Sequence, residues 1–353
     1  MMNMTALIII LHIRKLQFEI IYKRRLLNMD YKSAGVDTGK GESFVAKIKA
    51  MMGPGGSAIG HFGGAIPLPT EGYRHPMLVT SIDGVGTKVK IAVQLGIYDT
   101  IGCDIVHHCV NDIACCGAKP LAFLDYLAMN DLDQDVATEI LKGIIDSCQN
   151  LEITLAGGET AEMPGVYAKG ELDLVGSIMG IVEADNFIDG SSIDLGDILI
   201  GIASNGLHTN GYSLARTVIA EAGHDYNFVP DELECSLGET LLAVHRCYLI
   251  EIKALSKKVE VKGLAHITGG GLEGNVSRII PKGLKAEINW GTWDEPKIFE
   301  LIRKWGSIEE SAMHDAFNLG VGMVVIVPAD QYLEALDIIN TLQYQSWEIG
   351  KVG

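Results

Sequence analysis

Apolar residues fall along this chain in two rhythms, and their alternation predicts a mixed α and β protein. Short apolar runs rich in β-branched residues, bounded by Gly, Pro or Asp, predict strands at 77–82, 121–129, 152–156, 172–182, 198–203 and 263–267. Apolar positions spaced three and four apart predict helices at 42–52, 87–95, 100–116, 133–148, 212–222 and 237–255, with one more running from a triple glycine to 280. The stretch 29–68 is otherwise rich in Gly and polar residues and reads as a flexible segment. Gly157 to Thr160 reads as a loop that opens after a strand. Turn signals at 189–197 divide the pattern into an N-terminal domain, 29–188, and a C-terminal domain, 189–353. Each half is α+β, and no internal repeat is visible.

Composition narrows the function classes. With 353 residues, 48% hydrophobic and 21% charged, the chain can bury a large core and is not of disordered type. Its net charge of -17 argues against nucleic acid, which is gripped mainly through a basic face. Phosphates must then be held locally, by backbone N–H groups, a few basic residues and a cation kept by carboxylates. The seven cysteines form no C-x-x-C and no zinc spacing, which suits free buried thiols in a reducing cytosol. Residues 1–28 stand apart. The apolar run 6–11 is too short to span a bilayer, and Arg14, Lys15, Lys23, Arg24 and Arg25 follow it rather than precede it. A surface-lying helix is one reading; an upstream extension, with Met29 as the natural start, is the one favoured.

Five stretches carry candidate chemistry. Asp83-Gly-Val-Gly-Thr-Lys88 follows an apolar strand, and Gly84 and Gly86 allow a phosphate to approach the backbone. Asp83 suits Mg2+ and Lys88 a phosphate oxygen, against a plain strand-to-helix turn with a solvated lysine. The third glycine of the dinucleotide fingerprint is absent, and so is a P-loop. On the next helix Asp104, His108 and Asp112 recur every four residues, with Asn111 beside them, so they share a face for a cation, for a nucleotide, or merely for water. His107 and His108 read as structural or interfacial, with ligation the lesser alternative. Gly157-Gly158-Glu159-Thr160 offers further acidic ligands or an acidic surface loop. In Ser204 to Ser213, Asn210 and Ser213 can donate to a substrate, and His208 is the imidazole best suited to proton transfer. His266-Ile-Thr268-Gly-Gly-Gly271, with Asn275 and Arg278, makes a second anion pocket.

Seven pieces in this order resemble the phosphoribosylformylglycinamidine cyclo-ligases, or aminoimidazole ribonucleotide synthetases, from Tyr31 to Gly353. They are Tyr31-Lys-Ser-Ala-Gly-Val-Asp37, Asp83 to Lys88, Asn111 to Pro120, Gly157 to Gly165, His208 to Ser213, His266 to Gly271 and Phe317-Asn-Leu-Gly-Val-Gly-Met323. Asp112 through Pro120 meets the D-x4-G-A-x-P pattern of the ATP-binding superfamily. The resemblance implies a cytoplasmic homodimer. A mixed N-terminal sheet would join its partner in a barrel, and the C-terminal domain would be an α/β sandwich. It implies ATP-dependent ring closure of formylglycinamidine ribonucleotide to 5-aminoimidazole ribonucleotide, with no nucleic acid or membrane partner. By the same resemblance Asp83, Asp112 and Glu159 hold Mg2+. ATP meets Gly55, Gly56, Ser57, Gly84, Gly86, Thr87, Lys88, Asp104, Asn111, Gly157 and Gly158. Asn210, Ser213, Thr268, Gly269, Gly270 and Gly271 hold the ribotide, and His208, Lys88 and Asp83 act in catalysis. Residues 1–28 are foreign to the pattern, and the chain is expected to stop short of a last strand. A catalytically silent nucleotide-binding regulator of the same superfamily is the alternative. Relatives that use an N-terminal or C-terminal cysteine are disfavoured, because the first cysteine is Cys103 and the tail has none.

Overall fold

The structure is a computed structural model that describes residues 12, 14–19, 38–52 and 63–353. Gly55, Gly56 and Ser57, and the stretch from Tyr31 to Asp37, lie outside the described residues. The first half consists of α1 (Thr38–Met52), β1 (Pro76–Gly84), α2 (Val89–Leu95), α3 (Asp99–Ala114), β2 (Lys119–Met129), α4 (Gln134–Asn150), β3 (Thr154–Glu162) and β4 (Leu172–Glu183). Its strands form a mixed sheet in the order β1-β4-β2-β3, parallel only between β2 and β3.

One face of this sheet is covered by α3 and α4. The α4 helix starts where the Asp133 carboxylate accepts from Asp135 N and Val136 N, closing orphan donors of the first turn. Its buried Ala137, Ile140, Leu141 and Ile144 then repeat at helical spacing and pack inward. The two helices touch through glycine. A Cβ on Gly102 would lie 2.0 Å from Ile140 O, and one on Gly143 would lie 2.1 Å from Asp99 O. The opposite face of the sheet is not covered by this chain's described residues: Leu78 and Ile82 on β1 are 61% and 70% exposed.

The second half runs β5 (Ile198–Ala203), α5 (Tyr212–Glu221), α6 (Leu237–Leu242), α7 (Leu249–Leu255), β6 (Gly263–His266), α8 (Gly271–Val276), β7 (Ala286–Ile288), α9 (Lys297–Gly306), α10 (Glu310–Ala316), β8 (Val321–Val327), α11 (Tyr332–Asn340) and β9 (Ser346–Val352). Its five strands form an antiparallel sheet, β6-β8-β5-β9-β7. Every residue of β8 is buried, as a central strand under helices requires. No helix among the described residues is long and apolar enough to cross a membrane.

Two expected elements differ. The helix expected over 237–255 breaks into α6 and α7, because the main chain between them is drawn onto α3. His245 N donates to Asp104 Oδ1 at 2.7 Å, Asn111 Nδ2 donates to Arg246 O at 2.8 Å, and Tyr248 N donates to Asn111 Oδ1 at 2.9 Å. The expected loop at Gly157 to Thr160 is instead the middle of β3, held in register by Leu124 to Leu127 of β2.

Candidate active site

Strand β1 delivers Asp83 to the seam between the halves. Its Oδ1 accepts from Gly84 N at 2.7 Å, and a one-turn 3-10 helix, Gly86–Lys88, follows with Gly86 at φ +68°. Helix α3 runs alongside and turns its four-residue repeat toward the second half. His108 Nε2 stands 2.7 Å from Asp83 Oδ2, and its Nδ1 stands 2.6 Å from Thr209 Oγ1. One turn on, Asp112 Oδ2 accepts from Ser81 Oγ and Oδ1 meets His266 Nδ1, each at 2.8 Å. His266 ends β6 and adds a contact of 3.0 Å to His245 Nε2.

The loops of the second half close on the same place. Thr87 Oγ1 and Ser213 Oγ are 3.1 Å apart, so the Asp83–Lys88 turn meets the Ser204–Ser213 loop. A Cβ built on Gly269 would lie 3.4 Å from Asn210 Oδ1, which places the triple-glycine loop beside that loop. At Gly271, with φ +64°, a Cβ would fall 1.6 Å from His314 O, so no other residue fits. Between the halves lies a cleft of about 460 Å³, lined among others by Ser81, Asp83, Asp112, His266, Thr268 and Arg278.

Burial pushes the Asp83 and Asp112 carboxyls up, but their bonds to His108 and His266 prevail, and both sit below the usual carboxylate value. Both are therefore ionised in neutral water. Burial opposes charge on His108, yet Asp83 holds its pKa above the ordinary histidine value. In His266, His245 and His208 burial wins, aided by neighbouring cationic groups, and all three sit below it. The site thus presents two anionic carboxylates on one wall and the Arg278 guanidinium on the lining, an arrangement able to hold a cation and an anion side by side.

Several expected site residues are placed together here: Asp83, Gly84, Gly86, Thr87 and Asp112 from one half, and Asn210, Ser213, Thr268, Gly269, Gly270 and Gly271 from the other. Others are not. Lys88 is fully buried, paired with Asp104 at 2.7 Å and donating to Ala243 O at 2.8 Å, so its ammonium cannot reach a phosphate in the cleft. Asp104 and Asn111 are likewise spent on the 243–248 segment rather than on nucleotide. His208, at φ +61°, is turned inward and stacked on His245 at 4.1 Å, with neither ring nitrogen hydrogen-bonded. Gly322 makes room for it, since a Cβ there would come within 2.6 Å of its Cε1. Glu159 does not join Asp83 and Asp112. Gly158 and Asp125 share the helix-covered face with Asp83 across the register, and Glu159, one residue on, points to the other face of the far edge strand. Gly157, Gly158 and Glu159 line a separate cavity of about 250 Å³ beneath α1, with Asp125.

Sequence reasoning passed over His245 and Asp125. Nothing near His245 signals that a helix breaks there. Asp125 sits among apolar neighbours on β2, and that is itself a signal, because burial pushes its carboxyl up to about 7.

Comparison with known proteins matches both halves. Residues 73–182 match the model of the AIR synthase related protein N-terminal domain, and residues 195–353 that of the C-terminal domain. The phosphoribosylformylglycinamidine cyclo-ligase of Trichlorobacter lovleyi is 47% identical over 329 residues, covering 91% of this chain and 94% of the relative. That of Myxococcus xanthus is 44% identical over 328 residues, covering 91% and 95%. Among solved structures, the hydrogenase maturation protein HypE of E. coli superposes with a TM-score of 0.65 at 15% identity, covering 89% of this chain and 91% of that one. A HypE in complex with ATP gives 0.64 at 15% identity, covering 88% and 86%. These likenesses show a shared two-domain fold of mixed α and β layers. With both family models matched in order and near-complete alignment to named relatives, the chain belongs to the phosphoribosylformylglycinamidine cyclo-ligase family of ligases.

Proposed function

We propose that the chain closes the imidazole ring of 5-aminoimidazole ribonucleotide in purine biosynthesis, using ATP to activate formylglycinamidine ribonucleotide, and that the reaction runs in the interdomain cleft. The observation that carries the reading is convergence: Asp83, Asp112, Thr268 and Arg278 come from distant parts of the chain to line one cleft. ATP use is in keeping with the relatives' name as cyclo-ligases and with the ATP complex of a HypE of like fold.

The chemistry asks for positioning more than for covalent help. An amide oxygen leaves poorly as hydroxide. Transfer of the γ-phosphoryl to the formyl oxygen releases ADP and makes that oxygen part of a phosphate ester, and the amidine nitrogen then attacks the formyl carbon and closes the ring, expelling inorganic phosphate and a proton. Such a transfer proceeds through a loose transition state that is sensitive to alignment and charge. Ionised Asp83 and Asp112 would supply oxygen ligands of the kind Mg2+ takes, and Mg2+ held there would neutralise charge on the phosphoryl group. In this reading Arg278, Thr268 and the glycine loop would hold the ribotide phosphate, and Thr87, Asn210 and Ser213 would lie between the two substrates. His208 touches the cleft only indirectly, through His245 and His266.

The N-terminal domain is taken as 29–188 and the C-terminal one as 189–353, with 1–28 outside both. A homodimer fits the exposed Leu78 and Ile82 face, because a second sheet packed there would bury it as a barrel wall. Phosphorylated metabolites do not cross membranes, which suits a cytoplasmic enzyme. Release of phosphate from ATP only in the presence of formylglycinamidine ribonucleotide is the expected result. ATP binding with no such release would favour the silent regulator.

A further inference from the structure

The seam holds more imidazole than an oxygen-ligated cation needs. His108 and Asp112 are one helical turn apart on α3, a spacing at which two side chains can grip one ion. His266 arrives from β6 in the other half, and one ligand atom from each of these three residues lies within 4.8 Å of the others. His245 packs on the cluster, its ring centroid 5.1 Å from that of His266.

His266 sits in a set of polar contacts that crosses between the halves. Asn111 is fixed in orientation, because its Oδ1 accepts from Tyr248 N and its Nδ2 donates to Arg246 O. The second Nδ2 hydrogen then points at His245 Nε2, 3.2 Å away, which makes that nitrogen an acceptor. His266 Nε2 faces the same nitrogen at 3.0 Å, while His266 Nδ1 faces Asp112 Oδ1 at 2.8 Å. His208, stacked on His245, adds two buried ring nitrogens with no partner. Three ligand-type side chains thus meet at one point, two from α3 and one from β6.

We propose that His108, Asp112 and His266 form a site for a transition-metal dication such as Zn2+ or Co2+, distinct in ligand chemistry from the oxygen site for Mg2+. Imidazole nitrogen suits Zn2+, Co2+ and Ni2+, whereas Mg2+ keeps oxygen ligands and water. Two consequences follow from the placement. The ligands come from both halves, so the metal clamps them together. Asp112 serves both sites, so the transition metal and Mg2+ exclude one another.

The test uses the full chain with Co2+ and no nucleotide, which keeps it independent of the catalytic reading. Expected are one Co2+ per chain by equilibrium dialysis, a visible d–d band from nitrogen-containing coordination, and an EDTA-reversible rise in Tm. His266→Gln and His108→Gln should each weaken Co2+ binding by roughly 100-fold, since even outer partners of metal ligands cost 10- to 100-fold. Glu159→Gln, on the far edge strand, should bind Co2+ as the parent does. Binding that survives both histidine substitutions, or a parent chain that shows neither the band nor the Tm rise, overturns the proposal. The parent chain's Tm response decides the matter even if a histidine variant fails to fold.

Discussion

Lys88 shows how a residue's surroundings reassign its chemistry. A lysine after a glycine turn reads as a phosphate ligand, yet this one is sealed against Asp104 and Ala243 O, with burial lowering its pKa while Asp104 opposes that. Lys88→Ala should therefore cost stability, about 3–5 kcal/mol in urea unfolding, because it strands a buried carboxylate. The folded variant's KM for ATP should change little. Asp83 is the opposite case, open to the cleft and ionised. Asp83→Asn should lower kcat by about 10²–10³, as for loss of one preorganised charge contact, with some fall in Tm from the lost pairing with His108. Asp125 makes a pH prediction. Burial pushes its carboxyl up to about 7 when folded, against 3.8 for a free aspartate, so the folded chain holds the proton longer than the unfolded one. Stability then falls as pH rises from 3.8 toward 7. Asp125→Asn should remove that fall, gaining a few kcal/mol at pH 8 relative to pH 4 in denaturant titrations. The Asp83 and Asp112 pairing was legible because each stands inside a motif. The burial of Lys88, Asp104 and His208 was not, since their partners lie far along the chain.

At the scale of elements, most strands and helices were legible from period alone, among them α4 with its Asp133 cap and apolar stripe. Two failures share a cause: tertiary hydrogen bonding overrode local pattern. The paired glycines of β3 weaken a strand taken alone, and only pairing with β2 holds them extended. The run 237–255 keeps helical spacing, but α3 offers Asp104, His107 and Asn111 to its main chain, and the helix gives way. The α3–α4 contact gives a direct test. Gly102→Ala would drive a methyl to 2.0 Å from Ile140 O, so the helices must part. A loss of about 1–3 kcal/mol, read from chemical denaturation, is the expected cost of such overpacking.

For the whole molecule, what joins the two halves was not legible in the sequence. The bare β1 face predicts self-association. Leu78→Asp combined with Ile82→Asp should yield monomers by sedimentation velocity if that face is the dimer contact. The halves of one chain, by contrast, are stitched through peptide groups: side chains of α3 bond the backbone at His245, Arg246 and Tyr248. Peptide groups cannot rotate out of a contact as side chains do, so neither half can loosen without exposing the polar groups of the other. Calorimetry on a single chain should accordingly record one melting transition rather than two, and substrate entry must rely on loop movement instead of a swinging hinge.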